Sequence, residues 1–152
     1  MSSNTVIMKG EVTRGEGKAN AAITPGQLIE WISSGNLQRH SVAGSNAQRM
    51  FALEDELQGN ELTVDYATNS IVQYGVFHPG AEVWSLLSDG EAAVIGSFLE
   101  SNGDGDLRVY LASSAGAVEY PASIVGIARE TLDLSGSSGA DPTSRRIRVE
   151  VI

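Results

Sequence analysis

A mainly β fold, built from short and closely spaced strands, is expected for this chain, and three features carry the expectation. Apolar and polar residues alternate with period two in several windows. Turn residues (Gly, Pro, Asn, Asp and Ser) punctuate the chain between those windows. No window carries the apolar stripe of an amphipathic helix. The 152 residues suit a single domain, and a chain of that size buries roughly 70% of its unfolded surface, enough for a core without disulfide or metal staples.

Taken in order, residues 1–22 surround Gly10, Gly15 and Gly17 with small and charged residues, and only Val6, Ile7, Met8 and Val12 are sizeable apolar positions. Such a segment offsets little of its ordering entropy by burial. It is therefore expected as an extended arm, flexible until it meets a partner, in front of a β-rich body spanning 23–152. Thr24-Pro25-Gly26 is a turn feeding Gln27 to Ile32, and Ser33-Ser34-Gly35-Asn36 feeds Leu37 to Val42, a hairpin-like pair. Arg49 to Leu57 leaves its period open and is expected as a strand from its neighbours.

Alternation is cleaner further on. Leu62, Val64 and Tyr66 face away from Thr63 and Asp65; Leu107, Val109 and Leu111 oppose Arg108 and Tyr110; Ile147, Val149 and Val151 oppose Arg146, Arg148 and Glu150. Between these half-buried strands, Ile71 to Phe77, Glu82 to Leu87, Ala93 to Leu99 and Ile124 to Ala128 are more continuously apolar. That is expected of strands covered on both sides or closing a small barrel. About eight to ten strands are predicted, with turns at His78-Pro79-Gly80, Ser88-Asp89-Gly90 and Asn102-Gly103-Asp104-Gly105. Leu134 to Ser144 is a Gly/Ser-rich loop before the last strand.

Charge excludes some function classes. The net charge is −9, and residues 54–119 hold twelve Asp or Glu against one Arg. Phosphate binding depends on clustered Lys and Arg, so nucleic acid is not an expected partner. No run of 18 uncharged apolar residues occurs, and the N-terminus has no signal-like apolar run, so a soluble chain with no membrane partner is expected. The chain has no Cys, which removes thiol catalysis and Cys-ligated zinc.

Candidate chemistry is sparse, and neither a cofactor nor a metal is expected. Asn102, Asp104 and Asp106 stand at alternate positions like the start of a calcium loop, but Leu107 and Ser113 occupy the positions where that loop needs Gly and Glu. A hairpin turn needing φ > 0 explains the two glycines better. His40 and His78 are the only histidines, and His78 precedes Pro79 in a turn where solvent exposure is expected. Gly136-Ser137-Ser138-Gly139 has the wrong spacing for a nucleophile elbow. Gly15-Glu16-Gly17 lacks a third glycine and is no phosphate loop. Glu54 and Glu56 would share a face on a strand, as a glycosidase acid and base do, but a solvated or partner-facing face fits better. Arg145, Arg146 and Arg148 form the one basic cluster, placed to pair with acidic strands of the same or a neighbouring subunit.

The wording of Met50-Phe-Ala-Leu-Glu-Asp-Glu-Leu57, Tyr74-Gly-Val-Phe-His-Pro-Gly-Ala-Glu-Val83, Leu86-Leu-Ser-Asp-Gly90 and Ile95-Gly-Ser-Phe-Leu-Glu-Ser-Asn-Gly-Asp104 resembles the capsid decoration (cement) proteins of tailed bacteriophages. Ile124-Val-Gly-Ile-Ala-Arg-Glu-Thr-Leu132 and Arg146-Ile-Arg-Val-Glu-Val-Ile152 extend the resemblance, which covers about two-thirds of the chain. It is similar to the lambdoid head-decoration type. The resemblance implies a β-tulip or β-clip domain with no enzymatic activity, sitting as homotrimers on the outer surface of the capsid and stabilising the shell. The partner implied is the major capsid protein, and the contact residues would lie on the arm: Val6, Ile7, Met8, Lys9 and Val12. Two other readings stay open. One is a carbohydrate-binding β-module, which needs Trp31, Trp84, Tyr74 and Tyr110 on an exposed platform. The other is a different virion component, such as a tail or head-completion protein.

Overall fold

The alternation in Arg146-Ile-Arg-Val-Glu-Val151 places three apolar side chains on one face, and the largest sheet is assembled around this segment. The computed structural model describes residues 5–111, 120–137, 139 and 142–152. In chain order the strands are β1 (Ile7–Lys9), β2 (Val12–Lys18), β3 (Ile29–Trp31), β4 (Leu37–Arg39), β5 (Met50–Ala52), β6 (Ile71–Phe77), β7 (Glu82–Leu86), β8 (Ala92–Ala93), β9 (Phe98–Ser101), β10 (Leu107–Val109), β11 (Ile124–Ala128), β12 (Leu132–Asp133) and β13 (Arg146–Val151). Two 3₁₀ turns lie at Glu56–Gln58 and Pro142–Arg145.

These strands form a six-stranded sheet in the order β1-β7-β13-β11-β9-β10, a three-stranded sheet β2-β6-β5, and the pairs β3-β4 and β8-β12. Every pairing between strands is antiparallel. The fold is thus mainly β, as expected, and no sheet closes into a barrel.

The three-stranded sheet divides the apolar interior in two. Neighbouring residues of a strand point to opposite faces, so Phe51 and Phe77 enter one core while Met50, Ala52 and Val72 enter the other. The first core lies against the inner face of the six-stranded sheet, where Val83, Leu99, Leu107, Val125, Ile147 and Val149 are buried. Phe51 and Phe77 meet there edge to face, with ring centroids 5.4 Å apart. The second core gathers Ile23, Ile29, Leu37 and Tyr66 on the other side.

Ile71–Phe77 and Ile124–Ala128 are strands over the expected residues, and β3 and β4 form the expected hairpin. The turns at Gly80, Gly90, Gly103 and Gly105 all carry positive φ. Four expectations are corrected. Residues 62–66 make no strand; Leu62 and Tyr66 are buried as single anchors, and Tyr66 forms only a bridge to Ile23. Ala93 to Leu99 is broken into β8 and β9 by a turn in which Ser97 N–H donates to Val94 O at 2.9 Å. Arg49 to Leu57 is strand only over Met50–Ala52 before the chain enters a 3₁₀ turn. Among the described residues thirteen short strands stand where eight to ten were expected, because several segments of two or three residues pair only through tertiary contact.

The segment expected as an arm is paired over much of its described length. Residues 7–9 pair with β7, and residues 12–18 pair along the whole of β6 without a register shift. The described part of the arm is built into two sheets, and Met1 to Asn4 lie outside the described residues. In the Gly/Ser loop, residues 138, 140 and 141 lie outside them as well.

Candidate functional site

The five residues assigned to the arm occupy different environments. Val6 is fully buried; its N–H donates to Glu54 Oε2 at 2.9 Å and its carbonyl accepts from Trp84 N–H at 2.8 Å. Ile7 and Met8 are half-buried, Lys9 is exposed opposite Glu82, and Val12 packs against the first core. Val6 is an anchor, and of the five Lys9 alone is exposed. Composition could not reveal this, because the partners Glu54, Trp84 and β6 lie far along the chain.

The acidic and basic clusters resolve into structural roles. Glu54 is buried under Val6 while Glu56 is exposed, 3.6 Å from Arg14, so the two carboxylates do not face a common site. Arg146, on the last strand, is buried; its guanidinium donates to Trp84 O at 3.1 Å and Leu62 O at 3.1 Å. Burial pulls its pKa down to about 10. Gly26, at φ +96°, lies against this guanidinium, and a Cβ there would stand 2.7 Å from Trp84 O, so only glycine fits. Beside it, Asp106 pairs with Arg145 and accepts from Gln27 Nε2 at 3.2 Å. Burial raises the Asp106 pKa, and Arg145 opposes the rise only in part. This hub ties the turn at 24–27, the loop before β10 and the last strand together.

The loop at 102–106 is a hairpin turn in which Asp104 accepts from Asp106 N–H at 3.1 Å and Asp106 turns inward to Arg145. His40 is buried and bonded on both ring nitrogens, to Ser101 Oγ at 2.7 Å and Asn46 O at 2.9 Å. Ser101 is itself fully buried, so the pair braces the interior. His78 is exposed, as expected, and meets Thr13 Oγ1 at 2.8 Å. The aromatic residues are dispersed: Trp31 meets Tyr74 edge-on at 5.7 Å in the region of the second core, whereas Trp84 belongs to β7 of the six-stranded sheet.

Three surfaces stand out among the described residues. The first is a cross-strand charge ladder on the six-stranded sheet, with Arg148 3.5 Å from Glu82 and Arg129 3.2 Å from Glu150. The basic cluster thus pairs within its own chain. The second is an apolar patch around the turn between β8 and β9, where Val94, Ile95, Phe98 and Leu111 are 59%, 65%, 47% and 80% exposed.

The third surface is the outer edge of β2. Glu11, Ala19 and the odd residues between them direct their backbone groups to β6, as the bonds His78 N–H to Glu11 O and Ala19 N–H to Ser70 O require. Val12, Arg14 and Glu16 then direct theirs outward, and among the described residues no hydrogen bond reaches them there. The glycines of this strand serve its inner face: a Cβ at Gly15 would stand 2.5 Å from the Tyr74 hydroxyl, and one at Gly17 would stand 2.8 Å from Leu37 and 2.9 Å from Trp31.

No protein-family model matches the chain, and no curated protein matches it. The chain is similar to the crystal structure of the head fiber gp8.5 N base in bacteriophage phi29, with a TM-score of 0.57 and 11% sequence identity over 93% of this chain and 95% of that chain. The likeness is one of fold.

Proposed function

We propose that this chain is a non-enzymatic structural component of a bacteriophage head, which docks on the outer surface of the capsid and stabilises the shell. The observation that supports this reading is the likeness of fold, across 93% of the chain, to a head fiber base. The sequence resemblance to phage decoration proteins points the same way. In this reading the partner is the major capsid protein and the bound form is a homotrimer, so that three weak contacts act together with an avidity of order 10² to 10⁴ over one.

Docking uses exposed groups. Lys9, with the half-buried Ile7, Met8 and Val12 beside it, supplies one part of the contact, and Val6 holds that strand in place. The apolar patch of Val94, Ile95 and Phe98 supplies the other, since contiguous exposed apolar surface marks interaction sites. An acidic body suits a virion exterior, where no DNA need be bound.

A second reading, favoured by the same likeness, is that the domain is the base of a head fibre carrying a distal part. The experiment is co-sedimentation with expanded capsids of the cognate phage, with solution mass measured by light scattering. Saturable binding and a mass of three chains are expected. A monomer that ignores capsids overturns both readings, and bound particles bearing long projections would favour the fibre.

A further inference from the structure

We propose that β2 is a self-complementary edge through which two copies of this chain join, antiparallel about a two-fold axis at Gly15, into one continuous sheet ordered β5-β6-β2-β2-β6-β5. The proposal stands on the open edge itself and does not depend on the virion reading.

Among the described residues, the other edges of the two larger sheets are already bonded, or short and irregular. The outer side of β5 bonds to the chain at Gly26 and Gln27, through Gly26 N–H to Ala52 O at 2.7 Å and Ala52 N–H to Gln27 O at 3.0 Å. That of β10 is bridged at Leu87 and Leu107, with Glu91 accepting from Val109 N–H at 2.8 Å. β1 spans three residues with an irregular register, and its Ile7 carbonyl is taken by Thr5 Oγ1 at 2.9 Å. β2 is seven residues long, in unbroken register, and without proline. Among the described residues its outer side is met only past its end, where Asn20 N–H donates to Leu37 O at 2.7 Å and β4 comes alongside. The open stretch runs from Val12 to Gly17. A row of unpaired backbone groups is a template for another strand, and natural proteins usually cover it.

Charge order selects the occupant. Arg14, Glu16 and Lys18 share a face with alternating sign. In an antiparallel pair centred on Gly15, Arg14 of each copy stands opposite Glu16 of the other, in the hydrogen-bonded register where both backbone groups are free. Four backbone hydrogen bonds and two Arg–Glu pairs follow. Moving the centre to Arg14 sets the two arginines against each other; moving it to Glu16 opposes the two glutamates and sets Arg14 against Lys18. Like charges directly opposite are destabilising, so of these three registers the one centred on Gly15 is selected; centring on Gly17 would run into the segment past Lys18 that β4 already meets. At that centre the two Gly15 residues meet in the closely spaced, non-hydrogen-bonded position, where the absence of a Cβ lets the strands approach.

A contact of about six residues per copy falls below the roughly 800 Å² per partner of a standard interface. The step is therefore weak between free chains and gains strength where copies are already held side by side.

The test uses Arg14→Glu and Glu16→Arg. The Arg14–Glu56 contact that the first removes is exposed, at 57% for both side chains, and contributes little to folding; thermal unfolding of each variant checks this. Sedimentation equilibrium up to sub-millimolar concentration compares wild type, each variant and their equimolar mixture. Contacts made elsewhere on the chain are common to all of them. Each variant alone is expected to lose roughly tenfold to hundredfold in self-association, because two favourable pairs become two repulsive ones. The mixture is expected to recover it, since each Arg then faces a Glu. Wild type that never self-associates, variants that associate like wild type, or a mixture no stronger than its components would each overturn the proposal. Capsid binding abolished by Arg14→Glu without any self-association of wild type would assign the edge to a foreign strand, and would overturn it too.

Discussion

The strands β13 and β2 carry similar strings of alternating charge and sit in opposite situations. β13 lies inside the six-stranded sheet, paired to β7 on one side and β11 on the other. Its apolar residues Ile147, Val149 and Val151 enter the first core, and Arg148 and Glu150 find Glu82 and Arg129 within the same chain. Among the described residues β2 is paired on one side only. Its inner face carries glycines because Tyr74, Trp31 and Leu37 fill the space that side chains would take, and its charges face outward. In β13 the strand brings its own apolar surface to the core. In β2 the neighbours supply the surface and the strand supplies room.

The contrast is sharpest where side-chain volume changes sign. Ile147→Ala in β13 is expected to destabilise the fold by about 2–5 kcal/mol, the cost of a cavity in a packed core, read from the urea midpoint. Gly17→Val would raise the strand propensity of β2 and restore the missing alternation, yet it is expected to cost about 1–3 kcal/mol because the new side chain collides with Leu37 and Trp31. A stabilised Gly17→Val would break the account of β2.

Glu54→Ala tests what holds the N-terminal segment in its sheet. The buried Val6 N–H loses the acceptor that Glu54 gives it, an expected loss of about 1–3 kcal/mol. Amide exchange of residues 6–9 should accelerate more than that of β13, so the two ends of the same sheet come apart in stability. Equal acceleration would mean that Glu54 serves the whole core.

The smallest effect concerns pH. Asp106 has its pKa raised in the folded chain, so the folded state holds this proton to a higher pH than the unfolded state does. Its contribution is full below the unfolded value and is lost as pH rises through the folded one. Asp106→Asn should therefore gain stability relative to wild type as pH rises across that interval, measured by denaturant titrations at several pH values. A constant difference would mean that Arg145 cancels the burial cost.

These outcomes bear on what could be read from residues alone. β13, β6 and β11 were legible because an apolar face or run declares itself within a few residues, and the glycine turns were legible because positive φ selects the residue. β1 and β2 were not. Nothing within residues 5–18 states that Glu54 will cap Val6 or that Tyr74 will lie over Gly15; those facts belong to pairings made across the fold. The contact residues assigned to the arm shared that difficulty, and Val6 proved to be an anchor. The apolar patch was hidden for the opposite reason: Ala93 to Leu99 reads as a buried strand, and only the turn at Gly96 brings Val94 and Ile95 to the surface.

The position of β13 also dictates when this protein can exist. Among the described strands β13 is the last to be made, and it lies between two partners made earlier, so the main sheet stays split into two halves until residues 146–151 have emerged. β7 and β11 meanwhile expose the edges meant for β13, and pairing of this kind between distant segments is slow. The nascent chain thus carries a pair of sticky edges until β13 emerges, and a chain cut before Arg146 has no means of closing them.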